Sequence, residues 1–115
     1  MKDFFLDFET RSRQDLKKVG AAKYALCSST EATLLTWAVD DNKVQAWRMG
    51  QPMPQEIMYI AEHPEEYRFI AHNAEFDYLI WTCAFMTRIG VYAPKQPPIA
   101  NVSCTKGMSQ RFGAS

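Results

Sequence analysis

The sequence predicts an α/β domain built on a mixed β-sheet. Short apolar runs of strand length recur along the chain, and helical patterns separate most of them. Two neighbouring runs instead flank Asp40-Asp41-Asn42, a cluster of turn-forming residues that is typical of an antiparallel hairpin. Strands joined by helices favour parallel crossovers. With 115 residues, the chain has room for one small domain over 1–115.

Each element has a local justification. Strands are predicted at 4–10, 33–39, 43–48, 68–71 and 99–104, where β-branched, aromatic and other apolar residues dominate. One helix is expected after Pro52-Met53-Pro54, because proline is tolerated at a helix start, and His63-Pro64 ends it. A second helix is expected from Ala74 to about residue 88, with Asn73 as its N-cap and Gly90 closing it.

Two segments leave more than one interpretation. Gly20 is predicted to stop a short helix, and 21–30 is predicted to be an ordered loop with Tyr24 tucked in. The basic residues before Gly20 form either a solvated face or a DNA contact: Arg11, Arg13, Lys17 and Lys18.

The helix after Asn73 is apolar on two faces. Phe76 and Ile80 mark one face, whereas Trp81 and Phe85 mark the other. Such a helix is either deeply buried or covered by a further domain. Taking Trp81 and Phe85 as exposed, we expect the chain to associate with itself.

Composition excludes several classes. The formal net charge is zero, so there is no global basic signal for nucleic acid, although a local patch is compatible with this balance. Cys27, Cys83 and Cys104 show no zinc spacing and indicate reduced thiols in a cytoplasmic protein. No apolar run approaches the roughly 20 residues of a membrane span, and no signal peptide is evident.

The first strand carries two acids. Asp7 and Glu9 share one face, because side chains alternate along a strand, and Leu6 and Phe8 share the other. Unpaired carboxylates on a buried strand would cost several kcal/mol, so a hard cation such as Mg²⁺ or Mn²⁺ is one interpretation. In the alternative, the acids lie at the surface and bind nothing.

A third acid follows another predicted strand. Asn73 and Asp77 are four residues apart at a helix start and therefore share a face. Since functional crevices lie at the carboxyl ends of parallel strands, Asp7, Glu9 and Asp77 are predicted to meet there and bind two metal ions.

These motifs resemble a known family. Asp7-Phe8-Glu9-Thr10 resembles the Asp-x-Glu motif of DEDD-type 3′→5′ exonucleases, and Asn73-Ala74-Glu75-Phe76-Asp77 is similar to their Asn-x-x-(Phe/Tyr)-Asp motif. With Lys18-Val19-Gly20, Lys23-Tyr24-Ala25 and Ser103-Cys104-Thr105-Lys106, the whole chain resembles the proofreading domain of family A DNA polymerases, especially those of phages and prophages.

The resemblance implies an RNase H-like fold, a mixed β-sheet with flanking helices, and two Mg²⁺ or Mn²⁺ ions. It implies that Asp7 contacts both metals, that Glu9 binds the water-activating metal and that Asp77 holds the second. Asn73 and Phe76 would steady the substrate end, and the backbone of Thr10 would lie near the terminal nucleotide. The implied partners are the 3′ end of single-stranded DNA and the polymerase domain of a full-length protein.

The sequence departs from the family in one respect. No Asp or Glu follows Asp77, so the family's third motif, which supplies a fourth acid, is absent. We therefore expect a C-terminally truncated piece of a polymerase, in the cytoplasm of a bacterial or phage-infected cell, with weakened metal binding. Two alternatives are a catalytically inactive DNA-binding or interaction module and a plain α/β scaffold whose acids never converge.

Overall fold

The computed structural model describes residues 1–85, 97 and 102–104. Its elements, in chain order, are β1 (Lys2–Arg11), α1 (Leu16–Leu26), β2 (Glu31–Val39), β3 (Gln45–Arg48), α2 (Gln55–Glu62), a 3₁₀ turn (Pro64–Glu66), β4 (Tyr67–Ala71), α3 (Ala74–Leu79), a π-helical segment (Ile80–Phe85) and β5 (Val102–Cys104). Predictions for 86–90 and for a helix after Cys104 lie outside the described residues.

The five strands form one mixed sheet in the order β3-β2-β1-β4-β5. The hairpin strands β2 and β3 are antiparallel, and β2 is antiparallel to β1. On the other side, β4 is parallel to β1 and β5 is parallel to β4. The predicted α/β class with a mixed sheet is therefore confirmed, with β1 at its centre.

Alternation along β1 fixes the core. Phe4, Leu6 and Phe8 are buried, whereas Phe5, Asp7 and Glu9 are exposed. Phe4 packs edge-on against Phe69 of β4 and Trp81 of the π-helical segment, with ring centroids 5.0 and 5.6 Å apart. The predicted face of α2 is also buried through Ile57, Ile60 and Ala61. The helix α2, the π-helical segment and the buried face of the sheet enclose the core.

The hairpin turn at residues 40–42 is confirmed. Asp40 has a φ of 51°, in the left-handed region that Asp tolerates better than most residues. Its Oδ1 accepts a hydrogen bond from the Asp3 backbone N–H at 2.9 Å, which ties the turn to the amino end of β1. Asp40 thus has a turn role.

The prediction of a loop at 21–30 is wrong for 21–26, because α1 resumes after Gly20 and runs to Leu26, whereas 27–30 do form a turn. Gly20 does interrupt the helical backbone, with a φ of 83° and a ψ of 165°. The following residues, Ala21-Ala22-Lys23-Tyr24-Ala25-Leu26, are mostly good helix formers, so a helix reforms beyond the break. Tyr24 is buried, as predicted.

The expectation that Trp81 and Phe85 are exposed is also wrong. Their relative exposures are 0% and 2%, and their rings lie 5.2 Å apart in the core. Phe85 also packs against Trp47 of β3 at 5.5 Å. The apolar face that suggested self-association is therefore occupied by the sheet, and self-association has no support from these two residues.

Two smaller expectations concern the cysteines and the membrane. The three cysteines form no disulfide, as predicted. Within the described ranges, no helix is both long enough and apolar enough to cross a membrane.

Candidate functional site

The candidate site lies where β1 and β4 separate. Their parallel pairing runs from Lys2–Tyr67 to Phe5–Ile70, and β4 then ends at Ala71 while β1 continues to Arg11. The chain turns at His72-Asn73 into α3, which brings the first turn of this helix back towards the unpaired part of β1. Such a junction at the carboxyl ends of parallel strands is where the sequence predicted a crevice.

Asp77 lies in this junction, in the first turn of α3. Its side chain is almost completely buried, with a relative exposure of 3%. Its Oδ1 accepts a hydrogen bond from the Phe8 backbone N–H at 3.3 Å, beyond the last residue of β1 that pairs with β4. The carboxyl group thereby links α3 to a free edge of the central strand across 69 positions of sequence.

Burial dominates the electrostatics of Asp77. Burial, aided by the negative charge of Asp7, raises the pKa of this carboxyl to about 7. The Phe8 N–H opposes both effects, because it stabilises the ionised carboxylate. The charge of Asp7 therefore acts on Asp77, although the two acids are 70 positions apart in sequence.

Asp7 and Glu9 occupy the exposed face of β1, opposite Phe8. The cost of burial therefore falls on Asp77 and on neither of the strand acids. Asp77 reaches the edge of β1 from the helical side, whereas Asp7 approaches from the exposed side. Glu9 lies two residues further along the strand, beside a register shift between Glu9 and Thr10.

The three residues expected to bind substrate surround this junction. Thr10 is half-buried, and its Oγ1 lies 2.9 Å from the Tyr24 Oη of α1. Phe76 is half-buried and packs against the Tyr24 ring, with centroids 6.0 Å apart. Asn73 is exposed at the N-cap position of α3, as predicted, but its side chain makes no capping hydrogen bond. The Asn73 amide is therefore not committed to the helix end.

Tyr24 is a component that the sequence interpretation did not assign to the site. Its hydroxyl contacts Thr10 of β1 and its ring contacts Phe76 of α3, so it joins both segments that carry the acids. The sequence signal that could have assigned Tyr24 to the site was its expected burial, because the hydroxyl of a buried Tyr usually has a hydrogen-bond partner.

The three acids of the predicted site offer a metal ion only carboxylate oxygens as ligands. In the part of the chain that the structure describes, no three His, Cys, Asp or Glu side chains form a group that could hold a metal ion. Of the two strand acids, Asp7 is the one whose charge acts on the Asp77 carboxyl. Two carboxylates, one of them buried with a raised pKa, suit a hard divalent cation, because a cation would offset both the burial cost and the mutual repulsion.

A groove of about 480 Å³ on the exposed face of the sheet has Asp7, but not Asp77, in its wall. Asp7 and His72 lie in its wall, together with Phe5 and Ile70. A second cavity of about 350 Å³ lies near β3, between Trp47, Met49, Met53 and Phe85. Asp7 and His72 lie in the wall of the groove and not in that of the second cavity, so the groove is the better candidate for a ligand of the predicted site.

Comparison with known proteins does not assign the chain to a family. No protein-family model matches it, and neither a curated protein nor a solved structure shows significant similarity to it.

Proposed function

We propose that this chain belongs to an RNase H-like, metal-dependent 3′→5′ exonuclease domain of a DNA polymerase, acting in the cytoplasm of a bacterial or phage-infected cell. The observation that carries the proposal is the hydrogen bond that holds the Asp77 carboxyl against the backbone of Phe8, the residue after Asp7, at the junction of β1 and β4. The mixed sheet centred on β1 and the order of the two acidic motifs along the chain support it. The substrate would be the 3′ end of single-stranded DNA, hydrolysed to nucleoside monophosphates.

Asp7 and Asp77 would hold a divalent cation, Mg²⁺ or Mn²⁺, and Glu9 lies on the same strand face as Asp7 to assist. Such a cation supplies a water of lowered pKa and stabilises negative charge on a phosphate. Asp77 stays fixed by the Phe8 N–H, which holds its carboxylate at the edge of β1. This hydrogen bond would orient the Asp77 carboxylate as a metal ligand.

The neighbouring side chains would position the terminal nucleotide. The Asn73 amide is exposed beside the junction and is free of a capping bond. Thr10 lies at the register shift of β1, where its backbone departs from the regular ladder with β2. Phe76 packs against Tyr24 and so fixes the first turn of α3, which carries Asp77.

The test is metal-dependent stabilisation. Millimolar Mn²⁺ should raise the melting temperature, because a ligand that binds only the folded state stabilises it by about 1.4 kcal/mol at ten times its Kd. Asp7→Ala and Asp77→Ala should each abolish the shift, whereas Asp41→Ala, at the tip of the hairpin, should leave it unchanged. Equal Mn²⁺ shifts in all four proteins would contradict the metal site.

A second measurement separates the proposal from its main alternative. Release of 3′-terminal nucleotides from a 5′-labelled oligonucleotide, in Mn²⁺ but not in EDTA, would support a nuclease. Single-strand binding that is insensitive to Asp7→Ala and Asp77→Ala, without any Mn²⁺ effect, would instead favour an inactive DNA-binding module.

A further inference from the structure

A cluster of basic side chains lies just beyond the acidic junction. The stretch from the end of β1 through α1 contains one acid, Asp15, and five basic residues: Arg11, Arg13, Lys17, Lys18 and Lys23. All five are exposed. Arg11 pairs with Glu31 at 3.3 Å, but among the described residues the other four have no ion pair. We call these four the basic surface: Arg13, Lys17, Lys18 and Lys23.

The acid within this stretch, Asp15, does not neutralise the basic surface. The Asp15 Oδ1 accepts a hydrogen bond from the Lys17 backbone N–H at 3.0 Å and so caps the start of α1. The carboxylate is thereby engaged with the helix end and makes no salt bridge with a described residue. An accumulation of positive charge without a matching partner attracts polyanions.

The structure fixes the basic surface relative to the acids. Tyr24, in the second half of α1, bonds Thr10 of β1 at 2.9 Å and packs on Phe76, the neighbour of Asp77. The loop before α1 is held as well, because the Arg13 backbone N–H donates to Ser29 Oγ at 3.1 Å. The cations are therefore carried by a segment that is anchored to both acid-bearing elements.

The break at Gly20 separates an exposed part of α1 from a part that packs against the core. Tyr24 and Ala25, after the break, are buried against the core. Lys17 and Lys18, before it, are exposed. The packed half can therefore anchor the helix without drawing the two lysines into the core.

We propose that the basic surface binds backbone phosphates of a single-stranded nucleic acid whose end lies at Asp7 and Asp77. The identity of this partner rests on the proposed function, since a strand held at the acids must leave the junction along a neighbouring surface. Positive charge beside the acids would offset the repulsion between the carboxylates and the incoming phosphates. The surface would act in binding, upstream of the reacting bond.

The test is equilibrium binding of a fluorescein-labelled oligothymidylate in EDTA, followed by anisotropy over a series of salt concentrations. Lys17→Gln/Lys18→Gln should weaken binding about tenfold at low salt and lower the salt slope by about 1.4, at about 0.7 per lost phosphate contact. The matched control is Lys2→Gln/Lys43→Gln. Lys2 lies at the amino end of β1, and Lys43 follows the turn that is tied to Asp3, so both lie at the far end of the sheet.

Circular dichroism melts should show both double variants folded, because all four lysines are exposed. Equal losses in the two double variants, no loss in either, or no binding by the unsubstituted chain would overturn the proposal. Co-sedimentation of the chain with phosphatidylserine vesicles, without binding to the oligonucleotide, would also overturn the proposal. It would identify an anionic membrane as the partner. Because these assays contain no metal, their failure would contradict the basic surface without contradicting the nuclease, and the two failures can be told apart.

Discussion

Replacing Asp77 by Asn should stabilise the metal-free chain at neutral and alkaline pH. Burial, aided by the charge of Asp7, raises the pKa of Asp77 from 3.8 to about 7. In the unfolded chain the carboxyl ionises above 3.8, whereas in the folded chain it holds its proton until about pH 7. The unfolded state therefore binds fewer protons over this window, and stability falls as the pH rises through it.

The magnitude follows from the displacement of the pKa. At about 1.36 kcal/mol per unit, a rise of roughly three units costs the ionised folded state on the order of 4 kcal/mol. Between about pH 5 and pH 8, the part lost is about 2–3 kcal/mol. Asn does not titrate, and its side-chain oxygen can still accept the Phe8 N–H, so the variant should escape this loss.

The assay is urea denaturation in EDTA at several pH values, with the difference in unfolding free energy between variant and parent plotted against pH. That difference should grow with pH and favour Asp77→Asn. Asp41→Asn removes an exposed carboxylate from the hairpin turn and serves as the control, with a difference that stays nearly flat. If Asp77→Asn gains no unfolding free energy at about pH 8, or gains an amount that does not depend on pH, the assignment of a buried carboxylate with a raised pKa is refuted.

Further outcomes follow from the same contacts. Asp7→Asn should lower the pKa of Asp77, measured by carbon-detected NMR titration, but leave it above 3.8, since burial is the larger cause; an unchanged pKa would show that the two acids are not coupled. Tyr24→Phe should cost about 1 kcal/mol in urea denaturation through loss of the bond to Thr10, and a cycle with Thr10→Val should be non-additive. Gly20→Ala should cost about 1–3 kcal/mol, because its φ of 83° and ψ of 165° strain any side chain; a neutral result would mean that the break is not required.

Local chemistry made the hairpin and the start of α3 predictable. The turn residues at 40–42 and the N-cap position of Asn73 depend on neighbours in sequence, and both are in place. The extent of α1 was also encoded, in the helix-forming run after Gly20, but a glycine can interrupt a helix as well as end it. Whether the helix continued beyond Gly20 depended on the packing of Tyr24 and Ala25 against the core.

The strand face that carries Asp7 and Glu9 was predictable, but the environment of the three acids was not. Alternation correctly placed Asp7 and Glu9 on one face of β1, but which acid would be buried depends on where α3 crosses the sheet. The bond between Phe8 and Asp77 joins positions 69 apart, and no local pattern encodes it. Likewise, the two apolar faces of the helix after Asn73 were visible, but only packing against Phe4, Phe8 and Trp47 shows that Trp81 and Phe85 are internal.

The left-handed backbone at Gly20 has a consequence for how the molecule tolerates change. Substitutions before it, around Lys17 and Lys18, alter exposed groups, whereas substitutions after it disturb Tyr24 and Ala25 in the interior. A single helix thus combines an exposed half that tolerates substitution with a half packed into the core, and the charge of the exposed half can be redesigned without repacking the helix against the sheet.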